Sequence, residues 1–196
     1  MENTGLRERK KAETRQAVHE AALRLAVEHG FDHVTVEAIA DAANISRRTF
    51  SNYFASKEDA LLHGDLTNIR TLARLVRERP AGEPPWQAMH AAVHDLNRAI
   101  GEPEREWAIR ARLAKRHPSV LARQLANFAS LESELAQFIA ERGTGEDAAG
   151  DRPRVMAAAF MTALRLAGHL WTADDETRSL AAVTDDVLDQ MSRPFT

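Results

Sequence analysis

The segment from residue 35 to residue 61, TVEAIADAANISRRTFSNYFASKEDAL, constrains the fold of this chain more than any other. Thr35 and Ser46 each precede a short run with apolar residues at helical spacing, and a hydroxyl side chain is a favourable helix N-cap. Asn44 lies between the two runs, and asparagine tolerates the left-handed backbone that a sharp turn requires. The segment therefore predicts two short helices joined by a tight turn, which is a helix-turn-helix.

The second of these helices is predicted to have one apolar face and one polar face. Phe50 and Phe54 are four residues apart and point inward, where they join Ile39 and Ile45 in a core. The polar face carries Arg47, Arg48, Thr49, Ser51 and Asn52. In a helix-turn-helix, the second helix presents its N-terminal residues to base edges in the major groove, so we expect this chain to bind double-stranded DNA.

Two arginines lie in the first turn of that helix. Arg47 and Arg48 place positive charge where it opposes the helix dipole, which favours a contact with DNA over a solvated helix start. A guanidinium can pair with two acceptors of guanine, and an asparagine such as Asn52 can pair with adenine in the same bidentate way. We predict base or phosphate contact by both arginines.

The same segment resembles the DNA-binding signature of the TetR family of transcriptional regulators. The resemblance covers residues 10 to 63 and rests on several elements in a fixed order. These elements are Gly30-Phe31, Thr35-Val36, Ile39-Ala40, Ala43, Ile45-Ser46, Thr49-Phe50, Tyr53-Phe54, Lys57-Glu58 and Leu61. The chain departs from the family at Ser51, because the position after Phe50 is often aromatic there.

The resemblance implies a set of DNA contacts and a mode of regulation. The implied base contacts are Arg47, Arg48, Ser51 and Asn52. The implied phosphate contacts, made by hydroxyl and ammonium groups, are Thr35, Thr49, Tyr53 and Lys57. The resemblance also implies a homodimeric regulator, most often a repressor, that a small and largely apolar ligand releases from a palindromic operator.

Charge is distributed locally rather than across the whole chain. The formal net charge is −3, and residues 1 to 62 contain nine Lys/Arg and ten Asp/Glu. Phosphate contacts act within a Debye length of about 8 Å, so the placement of the cations decides DNA binding. The first helix carries one basic cluster, and other cations flank the second helix of the helix-turn-helix. These cations are Arg7, Arg9, Lys10, Lys11, Arg15, Arg47, Arg48 and Lys57.

The composition predicts an all-α protein, because Ala, Leu, Glu and Arg dominate and β-branched runs are absent. We expect a helix-turn-helix domain over residues 1–55 and a helical ligand-binding and dimerisation domain over 56–196, with helix 56–78 as the connector. Polar breaks are predicted at 80–85 and 143–153. Helices besides the helix-turn-helix pair are predicted at about 8–29, 56–77, 86–100, 107–117, from 118 onward, 154–172 and 176–192. Ser56 is the predicted N-cap of the helix at 56–77.

Several classes of protein are disfavoured by what the sequence lacks. The chain has no cysteine, which excludes disulfides and thiolate metal sites and is compatible with a cytoplasmic protein. No apolar run reaches the roughly 18 residues of a membrane span, and the start MENTGLRERKK has no apolar stretch typical of a signal peptide. We expect no membrane partner and no cofactor.

The helix predicted at 154–172 is apolar over most of its circumference, apart from a strip with Thr162, Arg165 and His169. Such a helix must be buried on several sides. One interpretation is that it contacts both a partner subunit and a ligand cavity; the other is a central helix in a monomeric bundle. Arg165 and His169 share a face, so they either bind an anionic ligand group, meet solvent, or pair with Asp185, Asp186 or Asp189.

Apolar and aromatic residues of the second half supply the candidates for a ligand pocket and a dimer interface. The pocket candidates are Trp86, Met89, Trp107, Phe128, Phe160, Met161, Arg165 and His169. The dimer candidates are Leu164, Trp171, Leu180, Val183, Val187 and Met191. Aromatic residues at helical spacing are also typical of an ordinary core.

Two histidines have the spacing of a metal-binding pair. His90 and His94 are separated by one helical turn, but no third ligand is evident from the sequence, so no metal site is predicted. No nucleophile motif, phosphate-binding glycine loop or paired carboxylates indicate an enzyme. The alternative to a transcriptional regulator is a helical small-molecule-binding protein, or a small helical enzyme, without a DNA role.

Overall fold

The computed structural model describes residues 2–101, 104–142, 145–173 and 178–193, and every regular element within these ranges is helical. The all-α prediction is confirmed. The α-helices in these ranges are α1 Glu2–His29, α2 Val36–Ala42, α3 Arg47–Tyr53, α4 Lys57–Leu61, α5 His63–Glu78, α6 Pro85–Ile100, α7 Glu104–Arg116, α8 Pro118–Arg142, α9 Arg152–Ala173 and α10 Leu180–Ser192. Short 3-10 turns lie at Phe31–His33 and Gly145–Ala148.

Two predicted helices have different bounds in the structure. The helix predicted from Ser56 to about Arg77 is divided into α4 and α5, because Leu62 leaves the helical conformation at φ −92° and ψ 12°. The helix predicted over 176–192 begins at Leu180, because the hydroxyl of Ser179 accepts a hydrogen bond from the backbone N–H of Ala182 at 3.2 Å and caps it there. Residues 176 and 177 lie outside the described ranges. Residues 143 and 144 of the predicted polar loop also lie outside them.

The helix starts around the helix-turn-helix are capped as the sequence predicts. The hydroxyls of Thr35, Ser46 and Ser56 each accept a hydrogen bond from the backbone N–H three residues further on, at 3.1, 3.0 and 3.2 Å. Asn44 has φ 54°, which is the left-handed conformation expected of the turn. Each cap stabilises its helix by about 1 kcal/mol, so local residues set where α2, α3 and α4 begin.

The chain forms two compact units. The N-terminal unit contains Met1–Thr67 and Leu113–Gln124, and the C-terminal unit contains Asn68–Arg112 and Leu125–Thr196. Three helices, α5, α7 and α8, have residues in both units. The N-terminal unit is therefore larger than the helix-turn-helix itself, because it includes the corner between α7 and α8.

The apolar side chains of α1 to α4 form the core of the N-terminal unit. Val18, Ile39, Phe50 and Leu61 are all at most 1% exposed. The imidazole of His19 is also buried, and its Nδ1 donates a hydrogen bond to the carbonyl of Ala60 at 2.9 Å. A buried polar group with such a partner ties α1 to α4 without an unsatisfied donor.

The core of the C-terminal unit is built on aromatic pairs. Trp86 of α6 meets Phe160 of α9 edge-on at 5.8 Å between ring centroids. Trp107 of α7 meets Trp171 of α9 in the same way at 5.5 Å. Gly168 of α9 lies against the Trp107 ring, and a Cβ built there would be 2.1 Å from Cη2 of the indole. The absence of a side chain at this position lets the indole lie against the α9 backbone.

No helix in the described part of the chain is both long enough and apolar enough to cross a membrane.

Gly168→Ala tests the contact between α7 and α9. The added methyl group must displace the Trp107 ring, and overpacking of this kind costs about 1–3 kcal/mol of unfolding free energy. Urea unfolding measures the cost. Gly82→Ala is the control, because a Cβ there meets nothing within 4 Å. Combining Gly168→Ala with Trp107→Leu should recover part of the loss; equal stability of Gly168→Ala and the native chain would contradict the packing described.

Candidate nucleic-acid interface

The four residues predicted to contact bases lie together on the exposed face of α3. Arg47, Arg48, Ser51 and Asn52 are exposed, whereas Phe50 on the opposite face is buried. The Ser46 cap and the Phe50 anchor fix the axis of α3, so its polar face points away from the core. The structure thus brings these four side chains onto one accessible surface.

The two arginines of α3 differ in their partners. Nη1 of Arg47 is 3.0 Å from Oε1 of Glu37 on α2, in an ion pair whose two side chains are 72% and 54% exposed. An exposed pair of this kind stabilises by about 0–1 kcal/mol, so DNA can displace it at low cost. Arg48 has no ion pair or hydrogen bond with any residue that the structure describes. The Arg48 guanidinium would therefore have no described partner to leave before it could contact a base.

Three of the predicted phosphate contacts carry hydroxyl groups near the ends of these helices. The Thr35 hydroxyl accepts the N-cap hydrogen bond of α2 and keeps its own proton for donation. The Thr49 hydroxyl lies 2.8 Å from that of Ser46, in a hydrogen bond that either group can donate. The Tyr53 ring lies 5.4 Å from the guanidinium carbon of Arg15 on α1. Thr35 is exposed, while Thr49 and Tyr53 are half-buried.

The structure gives Lys57 a different environment from the one the sequence predicts. Its ammonium donates to the carbonyls of Phe31 and Val34 at 2.9 and 3.0 Å and lies 4.4 Å from the centroid of the Phe31 ring. Two of its three protons are therefore directed into the protein. These contacts hold the turn before α2, and the phosphate contact, which stays a prediction, would use the third proton.

An open groove with several cations lies beside the C-terminal end of α3. It is lined by Leu6, Arg7, Lys10, Lys11, Thr14 and Tyr53. Lys11 also binds Glu8 at 2.7 Å, and this hydrogen bond lowers the pKa of the Glu8 carboxyl, with the positive charge of Lys11 acting in the same direction. The sequence shows the basic cluster but not the groove, because Tyr53 comes from another helix. A groove lined by cations suits the DNA backbone.

The corner between α7 and α8 packs against the helix-turn-helix within the N-terminal unit. The His117 ring lies 5.3 Å from the Phe31 ring, and its Nδ1 is 3.0 Å from Oδ1 of Asp32. Arg123 forms an ion pair with Asp59. Sequence reasoning missed these contacts, because they join residues that are more than 60 positions apart and carry no local pattern.

The apolar pocket candidates lie in one cluster in the C-terminal unit. Trp86, Met89, Phe160 and Met161 are buried in it, and two more aromatic side chains pack against it while staying partly exposed. These two are Trp107 and Phe128. The prediction that these six residues come together agrees with the structure, although their contact with a ligand stays a prediction.

Arg165 and His169 lie outside that cluster, and their contact with a ligand stays a prediction. Both side chains are exposed on α9. The aspartates that could have paired with them have other partners. Asp185 and Asp189 lie beside His90, Asp185 also beside His94, and Asp186 pairs with Arg178.

The six predicted dimer contacts differ in burial, and their contact with a partner stays a prediction. Trp171, Val183 and Val187 are at most 6% exposed and belong to the core of the C-terminal unit. Leu164, Leu180 and Met191 are half-buried. The accessible apolar side chains of α9 are instead Val155, Leu166 and Leu170, at 55%, 38% and 44% exposed.

The fold and this surface define a helix-turn-helix protein with a helical C-terminal unit, and comparison with known proteins agrees. Family models match residues 19–63, described as bacterial regulatory proteins, tetR family, and residues 83–196, described as the MftR C-terminal domain. The chain is 35% identical to the HTH-type transcriptional regulator TcmR of Streptomyces glaucescens, over 95% of this chain and 86% of that protein. The chain belongs to the TetR family of DNA-binding transcriptional regulators.

Solved structures share the fold at lower identity. FadR of Thermus thermophilus, a TetR-family repressor solved with lauroyl-CoA, is 24% identical with a TM-score of 0.62, over 90% of this chain and 92% of that chain. The SmeT–triclosan complex is 16% identical with a TM-score of 0.66, over 93% of this chain and 91% of that chain. TcmR and FadR are both described as transcriptional regulators.

Arg48→Ala tests base contact by α3. If Arg48 reads a base, the variant loses about 1–3 kcal/mol of binding free energy on the preferred sequence and much less on random duplex. Fluorescence anisotropy at fixed salt measures both affinities. Arg24→Ala is the control, since Arg24 is also an exposed arginine but lies on α1 beside Glu28. If Arg48→Ala loses the same binding free energy on the preferred sequence and on random duplex, Arg48 does not contact a base.

Lys57→Met separates support of the interface from contact with phosphate. The variant keeps the aliphatic stem but leaves the carbonyls of Phe31 and Val34 without the ammonium, which should cost about 1–3 kcal/mol of unfolding free energy. Lys10→Met, in the groove, should change the unfolding free energy by no more than about 0.5 kcal/mol. It should reduce the slope of the logarithm of the DNA-binding constant against the logarithm of salt concentration by about 1. If Lys57→Met instead keeps the native stability and changes only the salt dependence of DNA binding, Lys57 contacts phosphate rather than supporting the turn.

Proposed function

We propose that this chain is a dimeric transcriptional repressor that a small, largely apolar ligand releases from a pseudo-palindromic operator. The observation that carries the proposal is the exposed polar face of α3, with Arg48 unpaired among the described residues and a cation-lined groove beside Tyr53. A protein that bound only a metabolite would have no need for cations on the outer face of a capped and anchored helix.

The exposed side of α9 supports dimerisation. Val155, Leu166 and Leu170 present apolar surface there, and Thr162, Arg165 and His169 share the exposed part of the helix. A second copy would cover this surface with its own α9 in a two-fold symmetric interface. Two copies of α3 would then enter successive major grooves about 34 Å apart, and the operator would carry the same symmetry.

The core of the C-terminal unit supports an apolar effector. Trp107 and Phe128 are only half-buried at the edge of that core, so a ligand that displaces them would meet an aromatic and aliphatic lining. The ligands solved with FadR and SmeT, lauroyl-CoA and triclosan, both have large apolar parts. We propose an effector with that chemistry, an acyl chain or an aromatic compound.

Coupling between effector and DNA is proposed to pass along the helices that have residues in both units. In α7, Trp107 lies in the C-terminal unit, and the following corner brings His117 to Phe31 in the N-terminal unit. A ligand that moves Trp107 would shift α7 and, through His117, the support of the turn before α2. Such coupling typically amounts to about 1–3 kcal/mol.

Selection of the purified full chain on a random duplex library, at fixed near-physiological salt, tests the proposal. A two-fold symmetric enriched sequence is the expected result, and a variant with both Arg48→Ala and Asn52→Ala should enrich a weaker or altered one. A monomeric asymmetric motif would contradict the dimer, while no enrichment by folded, dimeric protein would favour a ligand-binding protein without a DNA role.

A further inference from the structure

Two histidines of α6 and one aspartate of α10 converge in the C-terminal unit. His90 and His94 are one helical turn apart, and their rings stack at 5.1 Å between centroids with 23° between the planes. Both rings face Asp185 on α10, which packs against α6. The sequence offers the pair of histidines without a third ligand, and the fold supplies that ligand from a residue 95 positions beyond His90.

The separations suit one metal ion. Nε2 of His90 and Nε2 of His94 lie 3.4 and 3.2 Å from the same oxygen, Oδ1 of Asp185. The three ligand atoms all lie within 4.8 Å of one another. Around a tetrahedral ion with bonds of about 2.0–2.1 Å, neighbouring ligand atoms are about 3.3 Å apart. The two nitrogen–oxygen distances therefore match those of a tetrahedral site, and the two nitrogens, which lie within 4.8 Å of each other, would have to approach to about 3.3 Å when the ion binds.

A further carboxylate lies beside the outer nitrogen of one imidazole. Oδ1 of Asp189 is 3.8 Å from Nδ1 of His90. A metal-binding histidine usually has its other nitrogen near a carboxylate or carbonyl, which fixes the ring and strengthens the bond to the metal. Asp185 and Asp189 are one turn apart on α10, so that helix supplies both a ligand and the group that orients a ligand.

We propose that His90, His94 and Asp185 bind a divalent transition ion of the zinc class, with water at the remaining position and Asp189 as a positioning residue. Two imidazole nitrogens and one carboxylate oxygen form a ligand set that Zn²⁺ accepts, whereas Mg²⁺ and Ca²⁺ prefer oxygen ligands. The side chains of His90, His94 and Asp185 are 21%, 51% and 31% exposed, so an ion can enter from solvent. The ion would link α6 to α10.

The tag-free chain is stripped with a chelator and dialysed. It is then titrated with Zn²⁺ against a chromophoric competitor, and with Co²⁺ followed by its visible d–d absorption. We expect one ion per chain, a tetrahedral Co²⁺ spectrum, and no competition from Mg²⁺. Asp185→Asn and His94→Ala should each weaken Zn²⁺ binding by at least about 100-fold, and Asp189→Asn by about 10–100-fold.

His29→Ala is the matched control. His29 lies 3.9 Å from Glu28 on α1, so it is a histidine beside one carboxylate, and its removal should leave Zn²⁺ binding unchanged. Circular dichroism verifies that each variant is folded, and Zn²⁺ should raise the thermal midpoint of the native chain and of His29→Ala only. The proposal is overturned if folded native protein binds no Zn²⁺, or if Asp185→Asn and His94→Ala bind it as tightly as the native chain; the contacts are then simple His–Asp pairs.

Discussion

Two protons of the Lys57 ammonium point at the carbonyls of Phe31 and Val34, and its charge lies over the Phe31 ring. The carbonyls belong to the turn that leads into α2, and Lys57 begins α4, so one side chain joins both ends of the helix-turn-helix. A charged donor that serves two partly buried carbonyls is costly to remove. The direction of α3, and with it the exposed face that carries Arg48, depends on this support and on the buried ring of Phe50.

Phe31 also connects the helix-turn-helix to the corner between α7 and α8. His117 contacts the ring and pairs with Asp32, and Arg123 pairs with Asp59 close to the start of α4. Because α7 and α8 both continue into the C-terminal unit, we propose that a movement of either helix would change the surroundings of Phe31. In the C-terminal unit, Trp107 on α7 lies against the backbone of α9 at Gly168, and α9 also carries the exposed apolar side chains of the proposed dimer surface.

The sequence predicts those features that short stretches of chain determine. The caps at Thr35, Ser46 and Ser56 and the left-handed Asn44 need only their neighbours, so they were predicted correctly. The two carbonyl contacts of Lys57 were not predicted, because its partners lie 26 and 23 residues earlier in the chain. For Trp171 and Val183, the helical spacing of apolar residues shows that they lie on an apolar face. It does not show whether that face packs against the same chain or against a partner. The third ligand beside His90 and His94 depends on how α10 packs on α6, which no local pattern encodes.

We propose that ligand binding in the C-terminal unit and DNA binding by α3 are coupled. The most direct test is the dissociation constant of an effector, found by screening acyl and aromatic compounds, with and without saturating preferred duplex. Linkage requires the duplex to weaken effector binding by the factor with which the effector weakens DNA binding, about 5–150-fold. An effector that releases the DNA while its own affinity stays the same at saturating duplex would contradict the account.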